Sequence, residues 1–130
     1  MIVLDTHIWV WWTQDDPLLP SAYKKHINAQ LTGGLGVSII SCWEIALLEA
    51  YGKIALPAPI ESWLNTSLNA QHIHLLDLSP KIVVEANHLP GNFHRDPADR
   101  LIVATARIHG YPLVTVDGKI RNYSHVQLAP

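Results

Sequence analysis

Ile2-Val3-Leu4 is a short apolar run that ends on Asp5 and passes at once into helical spacing at Ile8, Trp9 and Trp12. A buried strand joined to a helix without a linker is the unit from which parallel sheets are built, and the pattern recurs down the chain. Leu35 to Ile40 reads as a second buried strand, followed directly by Ser41-Cys42-Trp43-Glu44, the spacing of a capping box that opens a helix ending near Gly52. A helix around 60–70, a strand from Ile73 to Leu78 and a helix opened by Ser79-Pro80 come next. Asp96 as N-cap, Pro97 in the first turn and Asp99 beside it predict a further helix start. That helix is apolar nearly all round, so it is expected to be central, and Gly110 stops it. Pro112 to Val116 reads as a strand, Asp117-Gly118 as a turn, and Val126 to Leu128 as a short edge strand. The alternation predicts an α/β fold with a mainly parallel sheet and helices on both faces.

At 130 residues the chain has the length of one domain, and residues 1–130 are expected to form a single one. With 48 % hydrophobic and 15 % charged residues it is too apolar for disorder, yet no apolar stretch is long enough to span a bilayer. No basic leader precedes the first apolar run, which Asp5 interrupts, so no secretory signal is expected. One cysteine, Cys42, excludes an internal disulfide or a thiolate cluster and suits a reducing cytoplasm. A net charge of -2 excludes binding to nucleic acid through a broad basic surface.

Asp5 and Asp117 each end an apolar run, and Glu44 lies one helical turn beyond another. In a parallel sheet these acids meet at the carboxyl edge of the strands, where open α/β sheets bind ligands. Asp99 reaches the same edge if its helix starts there. Taken singly, each has a structural role available, as helix cap, capping box, dipole partner or turn residue. Together they repel one another unless a cation neutralises them. The oxygen-only set favours Mg²⁺ or Mn²⁺ over zinc, because the eight histidines show no zinc-binding spacing. Such a metal suits hydrolysis of a phosphodiester. There is no G-x-x-x-x-G-K-[ST] loop for an NTPase and no G-x-S-x-G elbow for acyl transfer. A phospho-acceptor receiver domain is disfavoured too, since Asp5 stands without an adjacent acid.

Four stretches in order carry a family resemblance: Leu4-Asp5-Thr6-His7, Ser38 to Ile45 with Gly52-Lys53-Ile54 behind it, Asp96 to Ala106, and Val114-Thr115-Val116-Asp117. The chain resembles PIN-domain proteins, particularly the VapC-type ribonuclease toxins of bacterial toxin-antitoxin pairs, over essentially its whole length. The resemblance implies a three-layer α/β/α fold. It also implies a Mg²⁺- or Mn²⁺-dependent endoribonuclease whose acids are Asp5, Glu44, Asp99 and Asp117. Thr115 matches the hydroxyl residue two before the last acid, and Asp96 is left between helix capping and support of the metal site. The family further implies an RNA substrate, typically structured and including tRNA, a VapB-like antitoxin whose tail lies across the active site, and a homodimer. His94, Arg95 and Arg100 flank the third acid and are candidates for holding phosphate. The competing reading keeps the fold without catalysis, as an interaction protein whose acidic pocket docks a basic tail.

Overall fold

The computed structural model describes residues 1–130. β1 (Ile2–Leu4), β2 (Leu35–Ser38), β3 (Ile73–Leu76) and β4 (Leu113–Val114) form one sheet in the order β3-β2-β1-β4. Every pairing is parallel, Ile2 lying opposite Leu35, Val3 opposite Leu113 and Leu35 opposite Ile73. Leu128 adds only an isolated parallel bridge to Leu113, less than the edge strand expected there.

Side chains alternate across a strand, so β1 serves two cores at once. Ile2 and Leu4 belong to a cluster with Trp9, Ile27, Val37, Ile45 and Trp63, whereas Val3 joins Ile82, Ile102, Val103, Leu113 and Ile120. The first cluster gathers α1 (Thr6–Thr13), α2 (Ser21–Ala29), α3 (Ile39–Ala50) and α4 (Ile60–Leu68), and the second α5 (Pro80–Ala86), α6 (Pro97–His109) and α7 (Gly118–Arg121). Helices thus cover both faces of a parallel sheet, the α/β/α arrangement anticipated. No helix is long and apolar enough to cross a membrane.

Two helix starts differ from expectation, and both bear on the site. β2 ends at Ser38, whose Oγ accepts a hydrogen bond from the Ile40 backbone N–H, so α3 begins three residues before the expected Ser41 cap. Ser41 and Glu44 therefore lie inside the helix, and Glu44 is released from a capping box to point elsewhere. α1 is capped by Asp5, in the helix-cap role open to it: Asp5 Oδ1 accepts from the Thr6 backbone N–H at 2.9 Å. Likewise Asp117-Gly118 is no free turn, because Asp117 Oδ1 caps α7 by accepting from the Lys119 and Ile120 backbone N–H groups. Asp96 and Gly110 close α6 as expected, the glycine at φ +68°. Leu47 is exposed, because α3 buries only its Ser41, Cys42 and Ile45 face.

Trp9 is fully buried and its ring meets that of Trp63 at 5.4 Å, joining α1 to α4. Truncation there leaves a large cavity, so Trp9→Ala should destabilise the fold by about 3–5 kcal/mol in urea unfolding followed by circular dichroism. A loss below about 1 kcal/mol would show that the α1–α4 core repacks freely.

Candidate active site

The strand order locates the site. From β1 the chain moves outward to β2 and β3, then returns to place β4 on the other side of β1. The crevice beyond the carboxyl ends of β1 and β4 is the switch point, the place where open α/β sheets accept ligands. Asp5 follows β1 and its backbone N–H donates to the Val114 carbonyl at 3.0 Å, while Thr115 to Asp117 follow β4.

A pocket of about 420 Å³ opens at this point, lined by Asp5, Thr6, His7, Ile8, Trp11, Glu44, Asp96, Asp99, Val116 and Asp117. All four expected carboxylates share it with Asp96, although they come from β1, α3, the start of α6 and the end of β4. Hydroxyl groups set two of them. The Thr115 hydroxyl donates to Asp5 Oδ2 at 2.6 Å and its oxygen accepts from the Asp117 backbone N–H at 3.0 Å, so it ties the two switch-point strands together. The Thr6 hydroxyl, buried, lies 2.5 Å from Glu44 Oε1 and 2.9 Å from the Ser41 hydroxyl. Asp96 Oδ1 accepts from the Asp99 backbone N–H at 2.9 Å, fixing the start of α6 beside the pocket.

The electrostatics follow from this crowding. Asp99 is pushed up to about 7, first by burial and then by the charges of Asp5, Asp96, Asp117 and Glu44. Burial also raises Asp5, against the Thr115 and Thr6 hydrogen bonds, with Asp117 adding to the rise. Glu44 rises for the same first reason, and Asp5 and Asp96 reinforce it.

The flanking groups divide. His94 Nε2 lies 3.0 Å from Asp99 Oδ2, close enough to pair with it when protonated. Arg100 turns away from the pocket: Nε donates to the Ala86 carbonyl, and one terminal nitrogen donates to the Phe93 and His94 carbonyls. It clamps the loop before α6 and lines two hollows beside the acidic pocket, not the acidic pocket itself. Arg95 lines two neighbouring hollows instead of the acidic one. Thr6, His7 and Trp11 were not singled out as site residues from sequence; the signal was their position directly after Asp5 at i and i+4 spacing on α1.

Comparison with known proteins agrees with this architecture. The PIN domain family profile matches residues 2–126. Ribonuclease VapC22 of Mycobacterium tuberculosis is 37% identical over 124 residues, covering 95% of this chain and 92% of the relative. A chain of the VapBC2 complex from Rickettsia felis, crystallised on a promoter DNA fragment, superposes with a TM-score of 0.70 at 22% identity, over 99% of this chain and 98% of that one. A chain of the DNA-bound VapBC of Salmonella typhimurium gives a TM-score of 0.71 at 16% identity, over 99% and 98%.

In the folded chain Asp99 keeps its proton to about pH 7, whereas an unfolded aspartate loses it near pH 4. The native state binds that proton more tightly, so the stabilisation is full below about pH 4 and is lost as the pH rises through about 7. In metal-free buffer Asp99→Asn should therefore gain melting temperature over the parent steadily between these values. Calorimetry at several pH values reads it, and a difference that stays flat would contradict the crowding.

Proposed function

The chain belongs to the PIN-domain family, and on that premise we propose that it is a metal-dependent endoribonuclease of the VapC toxin type. The observation that carries the reading is the convergence of Asp5, Glu44, Asp99 and Asp117 on one switch-point pocket from four distant parts of the chain. The curated relative from Mycobacterium tuberculosis, named a ribonuclease, supports the reaction class.

The donor chemistry suits a hard divalent cation, since the acids offer oxygen alone and their charges raise one another's pKa. As placed, no three His, Cys, Asp or Glu side chains close into a ligand cage. Mg²⁺ usually keeps several of its waters and is bound through one or two carboxylates plus substrate phosphates, so it does not require a complete cage. Asp5, Glu44, Asp99 and Asp117 would hold the ion. Bound there, it would supply the charge that draws in a phosphodiester and lowers the pKa of water.

The chain's own groups do the positioning. Thr115 and Thr6 lock the Asp5 and Glu44 carboxylates by one oxygen each, and the caps on α6 and α7 hold Asp99 and Asp117. His94 Nε2 stands 3.0 Å from Asp99 Oδ2. The bonds to Glu44 and Asp117 engage Oε1 and Oδ1, and no lysine or arginine lines the pocket the two residues share.

The expected partner is a VapB-like antitoxin. Trp43 and Leu47 stand exposed one turn apart on α3, and Tyr51 is exposed at its C-cap, which leaves apolar surface open to a partner. The family resemblance also supports a homodimer acting in the cytoplasm. The non-catalytic alternative has the same pocket docking a basic tail with no reaction.

Purified protein incubated with RNA should cleave it with Mg²⁺ or Mn²⁺ present, and EDTA should abolish the cleavage. Asp5→Asn and Asp99→Asn should each lower the rate by on the order of a hundredfold or more while keeping a native circular dichroism spectrum. Retained cleavage in either variant would overturn the role given to these acids, and no cleavage by the parent protein with either metal would favour the alternative.

A further inference from the structure

Carboxylates supply five of the ten residues that line the pocket, and another part of its wall is aromatic. His7 and Trp11 sit one turn apart on α1 and both line the pocket, their ring centroids 5.8 Å apart at 54°. Trp11 is half-buried, with part of its indole packed against the core cluster of α1, and His7 is exposed. The indole is thus a firmly mounted ring with an open side, in contrast to Trp9, which is sealed in the core.

What such a wall can grip follows from charge. No lysine or arginine lines the pocket; Arg100 donates to main-chain carbonyls and, like Arg95, lines a neighbouring hollow. The wall therefore has no means of holding a strand by its phosphates, which the carboxylates repel. A nucleobase is the neutral part of a nucleic acid, and its π-face stacks on an aromatic ring whatever the sequence.

We propose that Trp11, with His7 at its edge, is a stacking platform for an unpaired nucleobase next to the bond that is cut. The inference rests on the nuclease reading and narrows its substrate class. Within a duplex both faces of a base are covered by its neighbours, so the RNA must present a single-stranded or looped-out base at this point.

The test is a binding titration in the Asp99→Asn background with Mg²⁺, using an end-labelled single-stranded RNA oligomer and an oligomer of equal length made abasic throughout. Trp11→Ala should weaken binding of the base-bearing oligomer roughly tenfold, Trp11→Phe should restore most of it, and the abasic oligomer should bind weakly and equally to all three. His7→Ala, at an exposed position where folding is not at stake, should weaken the base-bearing oligomer by a smaller factor.

Unchanged affinity in both Trp11→Ala and His7→Ala would overturn the proposal and leave the wall to a protein partner. An equal loss for the abasic oligomer in Trp11→Ala would overturn it as well, by showing a structural effect. Trp11-dependent binding without cleavage by the unmodified protein would remove the nuclease reading and leave the platform standing. Cleavage with Trp11-independent binding would do the reverse.

Discussion

Like charges held in one pocket are the constraint on which the rest of this structure depends. Asp5, Glu44, Asp96, Asp99 and Asp117 share a wall, and the burial and mutual repulsion that lift Asp99 to about 7 would tend to drive such side chains apart. The scaffold opposes this with hydrogen bonds, some within a helix start and some between residues distant in sequence. Each acid accepts from a backbone N–H or a hydroxyl close by, or sits on a helix start fixed by such a bond. Capping and chemistry are therefore not rival roles here. A cap fixes one carboxylate oxygen, and the fixed oxygen aims the other.

The Thr115 hydroxyl is the smallest part of this arrangement with the widest reach. It donates to the carboxylate that ends β1 and accepts from the backbone N–H of the acid after β4, across a gap of 110 residues in sequence. It sits at the one place in the sheet where the strand order reverses, so a single buried hydroxyl fixes both the switch-point geometry and the pair of acids flanking it. The Thr6 hydroxyl does the same between α1 and α3, reaching both Ser41 and Glu44.

The basic residues show a division of labour consistent with a net charge of -2. Arg100 holds the loop before α6, Arg107 pairs with Glu85 at 2.9 Å, and Arg121 reaches the Thr115 carbonyl. These guanidinium groups are structural, and the pocket is left to carboxylates, threonine, aliphatic side chains and aromatic rings. A nucleic acid meeting such a surface is met first by rings and hydrogen-bonding groups, and by positive charge only where a cation is carried in.

Much of the fold was legible in the sequence because its signals are local. Apolar runs of strand length, Pro97 inside a helix start, Ser79-Pro80 and Gly110 past a helix end each act through their own few residues, and β1, α5 and α6 lie where those signals put them. The carboxylates were legible as a set because three of them follow apolar runs, and strand ends converge in any parallel sheet. What sequence could not decide was which competing cap wins. The expected strand ran to Ile40 with Ser41 as the cap, whereas in the folded chain it ends at Ser38, opposite Leu76 of β3, so Ser38 caps α3 and Glu44 lies in mid-helix, free to meet Thr6. Nor could it show that Arg100 turns inward or that Trp11 turns to the pocket while Trp9 turns to the core. Those outcomes depend on partners dozens of residues away, and only the packed tertiary structure brings them within reach.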